Sequence, residues 1–596
     1  MTHLLVIGSP SLDTIHTKEK TFETIGGAGM YMSMAARRSG VDVSMFGPRP
    51  DPTPAVLGPF SDRLSEWIGP AIPPKNIPHF EISHDQEKAD YLKFSVGVET
   101  DLDLDTLPRD LSIYDGVHIT AMGDADAQQT LLTICRDRGA KMISLGTWLK
   151  SIKEKADIVR RSIENADVFF MNEEEAVYLF GSVENAQVKT GQILYITLAD
   201  KGALVFQGNT SAHIPAVQTT LIDPTGAGET FCGAVMANLL NGVHPIFAGQ
   251  RACVLAAEEI AQIGPTALLT NDPPPDISLD ERVCINPKQV EKVSFIVKNL
   301  PDAGLFNFVS DYLPPINHPN AIDYFFAVTL QQFSFWEDDG RTYTKPMIAQ
   351  IDGKSLKGST YLYYAFTRHL RKDPDFFSPE RQAKITEQDL KNVFRADDGS
   401  DPMPALDLHV LKANQYGRDM LALELSPTEM AACAQNTELP LKSLMMMLDH
   451  VGGYKEDPIR KKSDLLALSL NQRPEKFFRF GEKEAVSPVV DYHCMRSCLR
   501  IGLIDVMEPA LKKKLAGREI LSSDEEWAIR YAAYHIQKQV ENLSGKPIGA
   551  VDWFFFNYMR SHCPEMTDPN CQECAVNAIC AKRKEMFQPV LRTTFY

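Results

Sequence analysis

Over its first ~268 residues the chain alternates short apolar runs with amphipathic ones. Leu4–Ile7, Val41–Phe46, Gly116–Ile119, Lys141–Leu145, Val168–Met171, Leu194–Leu198 and Ala203–Gln207 are brief, β-prone runs and read as strands. Helical patterns lie between several of them, which predicts a mostly parallel, doubly wound α/β sheet. Residues 77–98 fall outside this rhythm and read as a few strands forming a small lid. Asn271-Asp-Pro-Pro-Pro-Asp-Ile-Ser is a linker by composition. Beyond it the alternation stops. Tyr361–Arg371, Leu441–Leu448, Asp464–Leu470, Cys494–Leu503 and Asp524–Leu543 carry helical spacing. The expected organisation is an α/β lobe over 1–268, a linker over 269–285 and a mostly α-helical lobe over 286–596.

Composition narrows the class. A chain of 596 residues is too long for one core. No apolar run approaches the ~20 residues of a membrane span. Leu4–Gly8 has neither a basic flank nor a cleavage site, so a cytoplasmic protein without a membrane partner is expected. The net charge is −17, and residues 1–280 hold 36 acidic against 21 basic side chains. Residues 281–596 are nearly balanced, 42 against 40. Neither half has the positive surplus that duplex nucleic acid favours, so nucleic acid is not an expected partner. Seven of the eleven cysteines are scattered and read as buried thiols in a reducing compartment.

The chemistry of the first half centres on Asp223-Pro-Thr-Gly-Ala-Gly-Glu229-Thr-Phe231, a glycine-rich turn running into an apolar helix. The amides of Gly226, Ala227 and Gly228 at such a helix start form an anion hole. A carboxylate there, Glu229, can take a proton from a substrate hydroxyl while the hole holds a transferring phosphoryl group. This run resembles the second signature of the ribokinase-type (PfkB) sugar and nucleoside kinases, with Glu229 where the family has its catalytic Asp.

Further marks of that resemblance follow in order. Gly8-Ser-Pro-Ser-Leu-Asp13 places Asp13 where the family's sugar-binding Asp falls. Gly26-Gly27-Ala-Gly29-Met-Tyr31 is similar to the first signature, with Tyr31 at the position of a sugar-binding Asn. An aromatic ring there could stack on a base. Asn172-Glu-Glu-Glu175 matches the Asn-x-x-Glu motif that organises Mg²⁺ and phosphate. Thr197-Leu-Ala-Asp-Lys-Gly202 resembles the nucleotide-site strand. The resemblance implies a ribokinase-like fold, ATP and Mg²⁺ as cofactors, and a homodimer through this lobe. A degenerate lobe that only binds a nucleoside is the alternative.

In the second half, Ala321 to Glu337 is dense in aromatics and reads first as core. Phe335 and Trp336, next to acids, could instead stack on a heterocycle. Gln332-Phe-Ser-Phe-Trp336, Asp352-Gly-Lys-Ser-Leu-Lys-Gly-Ser-Thr-Tyr361, Arg460-Lys-Lys-Ser-Asp-Leu-Leu466, Val490-Asp491-Tyr492 and Leu591-Arg592-Thr-Thr-Phe-Tyr596 resemble the queuosine salvage proteins, the queuosine 5′-phosphate N-glycosylases. That resemblance implies a helical fold related to DNA glycosylases. It implies Asp491 as the carboxylate near C1′, stabilising the cation-like sugar as an N-glycosidic bond breaks. A helix N-cap is the plainer reading of Asp491. Lys461 is a candidate for active-site or phosphate contact, and Arg592 for phosphate. Gln332 stands where the family has Asn.

Cys563-x7-Cys571-x2-Cys574-x5-Cys580 is the sharpest local pattern. Thiolates at this density suit a metal. The spacing resembles the [4Fe–4S] loop of endonuclease-III-type glycosylases with one residue added, and Zn²⁺ is the alternative. The two halves together are expected to form a bifunctional enzyme acting on a small nucleoside or nucleotide. A glycosylase with an inactive kinase lobe, or a DNA-glycosylase-like nucleic-acid-binding protein, remain as alternatives.

Overall fold

The computed structural model describes residues 2–16, 20–85, 88–95, 102–301 and 306–596. It divides into two compact units, Met1–Ile277 and Ser278–Tyr596.

The first unit is built on a nine-stranded sheet. Its order is Thr210–Ile214, Ala203–Gln207, Ile193–Thr197, Val168–Asn172, Ile143–Leu145, Gly116–Ile119, His3–Ile7, Asp42–Phe46 and Glu66–Ile68. Seven neighbouring strands pair in parallel, Ala203–Gln207 runs opposite to them, and the edge strand Thr210–Ile214 pairs antiparallel with it. The central strands are largely apolar because both faces are covered, whereas the edge strands Thr210–Ile214 and Glu66–Ile68 carry exposed polar residues. Leu4 and Val6 face one core with Met30, Phe231 and Ala252. Leu5 and Ile7 face the other with Leu131, Ile152 and Ala176. This is the doubly wound arrangement the alternation predicted.

A four-stranded sheet, ordered Thr21–Gly26, Ser11–His16, His79–Asp85 and Lys88–Ser95, forms the expected separate group of strands. Within the 77–98 run, residues 86–87 and 96–98 lie outside the described residues. Residues of the Pro-rich stretch are held by the first unit: Arg38 donates to the carbonyl of Asp272, and Arg251 pairs with Asp276 at 3.0 Å. Val283–Ile285 instead pairs with Ile504–Val506 in the second unit.

The second unit is helical, with small two-stranded ribbons such as Trp336–Asp338 against Tyr343–Pro346. The helices Gly358–Leu370, Pro440–Leu448, Lys461–Gln472, Tyr492–Ile501 and Ser523–Ser544 extend the predicted runs by a residue or more at one or both ends. Caps explain several ends. Ser522 and Glu525 form a capping box at the start of the longest helix, and Gly545 closes it with φ 70°. Among the described residues, no helix is long and apolar enough to cross a membrane.

Candidate active sites of the two units

In the first unit the helix Ala227–Leu240 begins at Gly226, which has φ 84°. A Cβ there would lie 2.4 Å from the ring of Tyr31, so only glycine fits by both conformation and space. The turn is tied from behind. Asp223 accepts from the amide of Thr225 at 3.0 Å and from that of Gly264 at 2.8 Å. A Cβ on Gly228 would meet nothing within 4 Å, so the mouth of the helix is open. No side chain caps its first amides, and that of Ala227 makes only a long 3.5 Å bond to the Pro224 carbonyl, a geometry that suits a phosphoryl group. Glu229 is the third residue of the helix, partly buried, and burial raises its proton affinity.

Asp13 is 3% exposed and accepts from the Ser11 hydroxyl at 2.6 Å. Burial, and secondarily the charge of Asp223, push its carboxyl up to about 7. Gly26 and Gly27 lie directly against it. A Cβ at Gly26 would fall 1.8 Å from Asp13 Oδ2, and one at Gly27, whose φ is 90°, would fall 2.7 Å from the Ser11 amide. The two glycines therefore let the turn close on the carboxyl.

Three expected site residues are placed differently. Tyr31 is 2% exposed within the core, its ring beneath Gly226 and its hydroxyl without a hydrogen-bond partner among the described residues. It backs the turn; no face is open for stacking on a base. Asn172 and Glu175 form a reciprocal capping box, with both side-chain-to-amide bonds at 2.9 Å. Their polar atoms are thus engaged with each other. Burial pushes Glu175 up to about 7, with the charge of Glu229 adding to it, so the two carboxyls sense each other.

In the second unit a cavity of about 460 Å³ is lined by Gln332, Phe335, Lys461, Asp491, Asp552 and Tyr596, among others. Asp491 caps the helix Tyr492–Ile501. Its Oδ1 accepts from the amides of His493 at 2.8 Å and Cys494 at 3.1 Å. The capping and cavity readings of this residue hold together, since a capping carboxylate keeps lone pairs to spare. Lys461 opens the helix Lys461–Gln472. Its amide donates to Asp457 Oδ2 at 2.9 Å, and burial lowers its ammonium's proton affinity while Asp491 and Asp552 oppose that shift. Phe335 reaches the cavity. Gln332 lines it too, its amide nitrogen without a partner among the described residues.

Trp336 and Arg592 are not brought to the cavity. Trp336 is 2% exposed, stacked on Tyr343 with ring centroids 5.5 Å apart and packed on Phe587. Arg592 is paired with Asp338, its Nε 3.1 Å from Oδ2, and also donates to the Trp336 carbonyl.

Several groups the sequence reading missed complete the wall. Tyr596 donates to Glu526 at 2.7 Å and lies against the guanidinium of Arg530. His493 accepts at Nδ1 from Arg496 at 3.0 Å. Arginine cannot accept, so the neutral imidazole carries its proton on Nε2. Burial and the nearby Arg496 hold His493 well below its usual range. Asp552 was hidden inside Val551-Asp-Trp-Phe-Phe-Phe556, where one acid in an aromatic run was the available signal. It precedes a π-helical turn, Phe554–Tyr558, a distortion often found at functional sites.

The four clustered cysteines are free and partly exposed. They sit at the far end of the Asp491 helix, where Arg500 of that helix donates to Cys563 Sγ at 3.4 Å. Burial, and secondarily neighbouring cysteines of the cluster, raise the proton affinity of Cys574 and Cys580. Yet among the described residues no group of three or more His, Cys, Asp or Glu side chains is arranged to hold a metal ion. The residues as placed do not fit the expected cluster or Zn²⁺, and no step is assigned to either.

The first unit is thus an α/β unit with an uncapped, glycine-started helix mouth, and the second a helical unit with an acid-lined cavity. Family comparisons agree. A pfkB family carbohydrate kinase model matches residues 108–272, and a queuosine salvage protein model matches residues 313–575. The chain therefore carries a PfkB-type kinase domain in its N-terminal half and a queuosine salvage domain in its C-terminal half. A cytidine kinase of Thermococcus kodakarensis is 23% identical over 261 residues, 41% of this chain and 90% of that protein. A queuosine 5′-phosphate N-glycosylase/hydrolase of Nematostella vectensis is 23% identical over 211 residues, 34% of this chain and 59% of the relative. Among solved structures, a Burkholderia thailandensis nucleoside kinase in complex with inosine covers 44% of this chain and 92% of its own, with 21% identity and a TM-score of 0.38.

Proposed function

We propose that this chain phosphorylates a nucleoside at its 5′-hydroxyl and then hydrolyses the N-glycosidic bond of the product. The nucleoside is queuosine or a related 7-deazapurine nucleoside, and the products are free base and ribose 5-phosphate. The observation that carries this reading is the cavity with Asp491 and Lys461 in a queuosine salvage domain on the same chain as a PfkB-type kinase domain.

In the kinase unit, Asp13 orients the sugar hydroxyls and Glu229 removes the proton from the attacking hydroxyl. The amides at 226–228 hold the γ-phosphoryl of ATP as it transfers. Mg²⁺, when bound with ATP, supplies charge neutralisation on the phosphates. In the second unit the Asp491 carboxylate stabilises positive charge developing at C1′, and Lys461 sets the field around it. Tyr596 and Phe335 give the base an apolar wall. One chain bearing both activities raises the local concentration of the intermediate.

The test is product analysis by mass spectrometry after incubating the protein with queuosine, with and without Mg·ATP. Free queuine formed only with ATP supports the coupled reading. Cleavage of supplied queuosine 5′-monophosphate, with none of queuosine even with ATP, supports an N-glycosylase whose kinase unit is inactive. That second reading is favoured by Glu229 standing where the kinase signature has Asp. Inertness toward both substrates refutes the function.

A further inference from the structure

The cavity of the second unit holds two carboxyl groups in unlike surroundings, and the difference assigns them opposite tasks. Asp491 sits at the positive end of a helix, its Oδ1 already accepting two amide hydrogens. Asp552, from the helix Ile548–Trp553, enters the same cavity beside Trp553 and Phe556. Its Oδ1 meets the thiol of Cys494 at 3.9 Å, a weak donor that does little for a charge. Two like charges facing one small cavity cannot both ionise freely, so the carboxyl without amide partners keeps its proton.

We propose that Asp552 is the general acid that protonates the departing base, while Asp491 remains the anion facing the sugar. The proposal rests on the glycosylase reading above and deepens it. Burial, and next the charge of Asp491, push Asp552 up to about 8, while the charge of Lys461, which also lines the cavity, opposes the shift. The chemistry gives a reason for such a group. A 7-deazapurine has carbon in place of N7, so the ring nitrogen on which a purine base is readily protonated is missing. Departure of the base as a bare anion is costly. The step balances as follows. The C1′–N bond breaks with its electron pair going to the base, and the Asp552 proton moves to that base. Water adds its oxygen to C1′ and gives a proton to Asp491. Exchange with solvent then returns a proton to Asp552 and frees Asp491. Two acids acting as a proton donor and an anion on either side of a scissile glycosidic bond follow the general logic of glycoside hydrolysis.

The experiment compares two substrates in the full-length protein. Queuosine 5′-monophosphate has a poor leaving group. 4-Nitrophenyl β-D-ribofuranoside 5-phosphate has one that needs no proton. Asp552→Asn is expected to lower kcat on the nucleotide by about 10²–10⁴-fold, the usual worth of general acid catalysis, and to change the aryl substrate only a few-fold. The fall of kcat above about pH 8 in the wild type should vanish in this variant, and Asp552→Glu should restore part of the nucleotide activity. Equal losses on both substrates would mean a structural or purely electrostatic role and would overturn the acid assignment. So would an unchanged Asp552→Asn enzyme. A wild-type protein that cleaves neither substrate overturns the glycosylase reading itself, and the acid role falls with it.

Discussion

Arg530→Met is the substitution whose cost the structure fixes most firmly. Arg530 is fully buried and grips Asp457 with two hydrogen bonds, 2.9 Å from Nη1 to Oδ1 and 2.7 Å from Nη2 to Oδ2. Its guanidinium carbon lies 5.1 Å from the ring of Tyr596 and 5.3 Å from that of Phe595. Asp457, 3% exposed, also accepts the amide of Lys461 and so sets the start of the Lys461 helix. Methionine nearly matches the arginine stem in volume but leaves a buried carboxylate without its counter-charge. Breaking such a pair costs about 3–5 kcal/mol, and loss of the stacked cation adds to this. With an m-value of about 3 kcal/mol/M in urea, the midpoint should fall by about 1–1.7 M. Because the chain has two units, a single global transition is a poor readout. Hydrogen exchange of peptides from 457–472 and 523–544, followed across a urea series, reports the second unit alone. Asp457→Asn combined with Arg530→Met should recover about 1–2 kcal/mol relative to Arg530→Met, because the stranded charge is gone. A midpoint shift below about 0.3 M, or a double variant no more stable than Arg530→Met, would refute the reasoning.

Three further outcomes are expected. Glu229→Gln should lower nucleoside phosphorylation by about 10²–10⁴-fold and leave cleavage of supplied 5′-monophosphate unchanged in the same preparation. Gly226→Ala should lower phosphorylation by about a hundredfold, because a Cβ 2.4 Å from Tyr31 forces the turn to move, and Tyr31→Leu in that background should recover part of it, as measured by initial rates. Glu259 is fully buried on the helix Pro245–Ile260, and burial pushes it up to about 10. Its folded proton affinity exceeds the unfolded one, so its contribution is intact below about pH 4 and stability declines as pH rises toward the folded value. Glu259→Gln should flatten the fall in stability of the first unit between pH 5 and 8, measured by hydrogen exchange across pH-matched urea series.

The seven strand runs were legible because each is short and mostly apolar between turn-forming or amphipathic stretches. The strand Ser11–His16 was not, because its buried face is Ser11, Asp13 and Ile15. A buried carboxyl, Asp13, occupies a position where the hydrophobic pattern needs a core residue. The same conflict hid Asp552 among aromatics. Resemblance singled out Asp491 and Lys461, both of which line the cavity, but it could not sort Phe335 from Trp336. Adjacent residues in extended chain point to opposite sides, so one lines the cavity while the other packs on Tyr343. Tyr31 was read from a substituted signature position, and only the three-dimensional approach of Gly226 shows that its ring is already covered.

The two units use the same physical element in opposite ways, and the residue at the helix cap decides which. In the second unit the cap is Asp491, whose own side chain takes the amides of His493 and Cys494. That helix end holds an anion belonging to the protein, fixed in place and available on its remaining lone pairs. In the first unit the cap is Gly226, with no side chain to offer, and the carboxyl appears three residues later at Glu229. No side chain caps those amides, the arrangement an anion arriving with a substrate would need. An acid at position 226 would fill the hole from within and repel phosphate, even if the turn tolerated its Cβ. A glycine at position 491 would leave the helix end open and the cavity without its fixed charge. Chemistry at a developing cation needs the first arrangement, and transfer of a phosphoryl group needs the second. The cap residues therefore separate the proposed hydrolase site from the proposed kinase site more directly than the folds around them do.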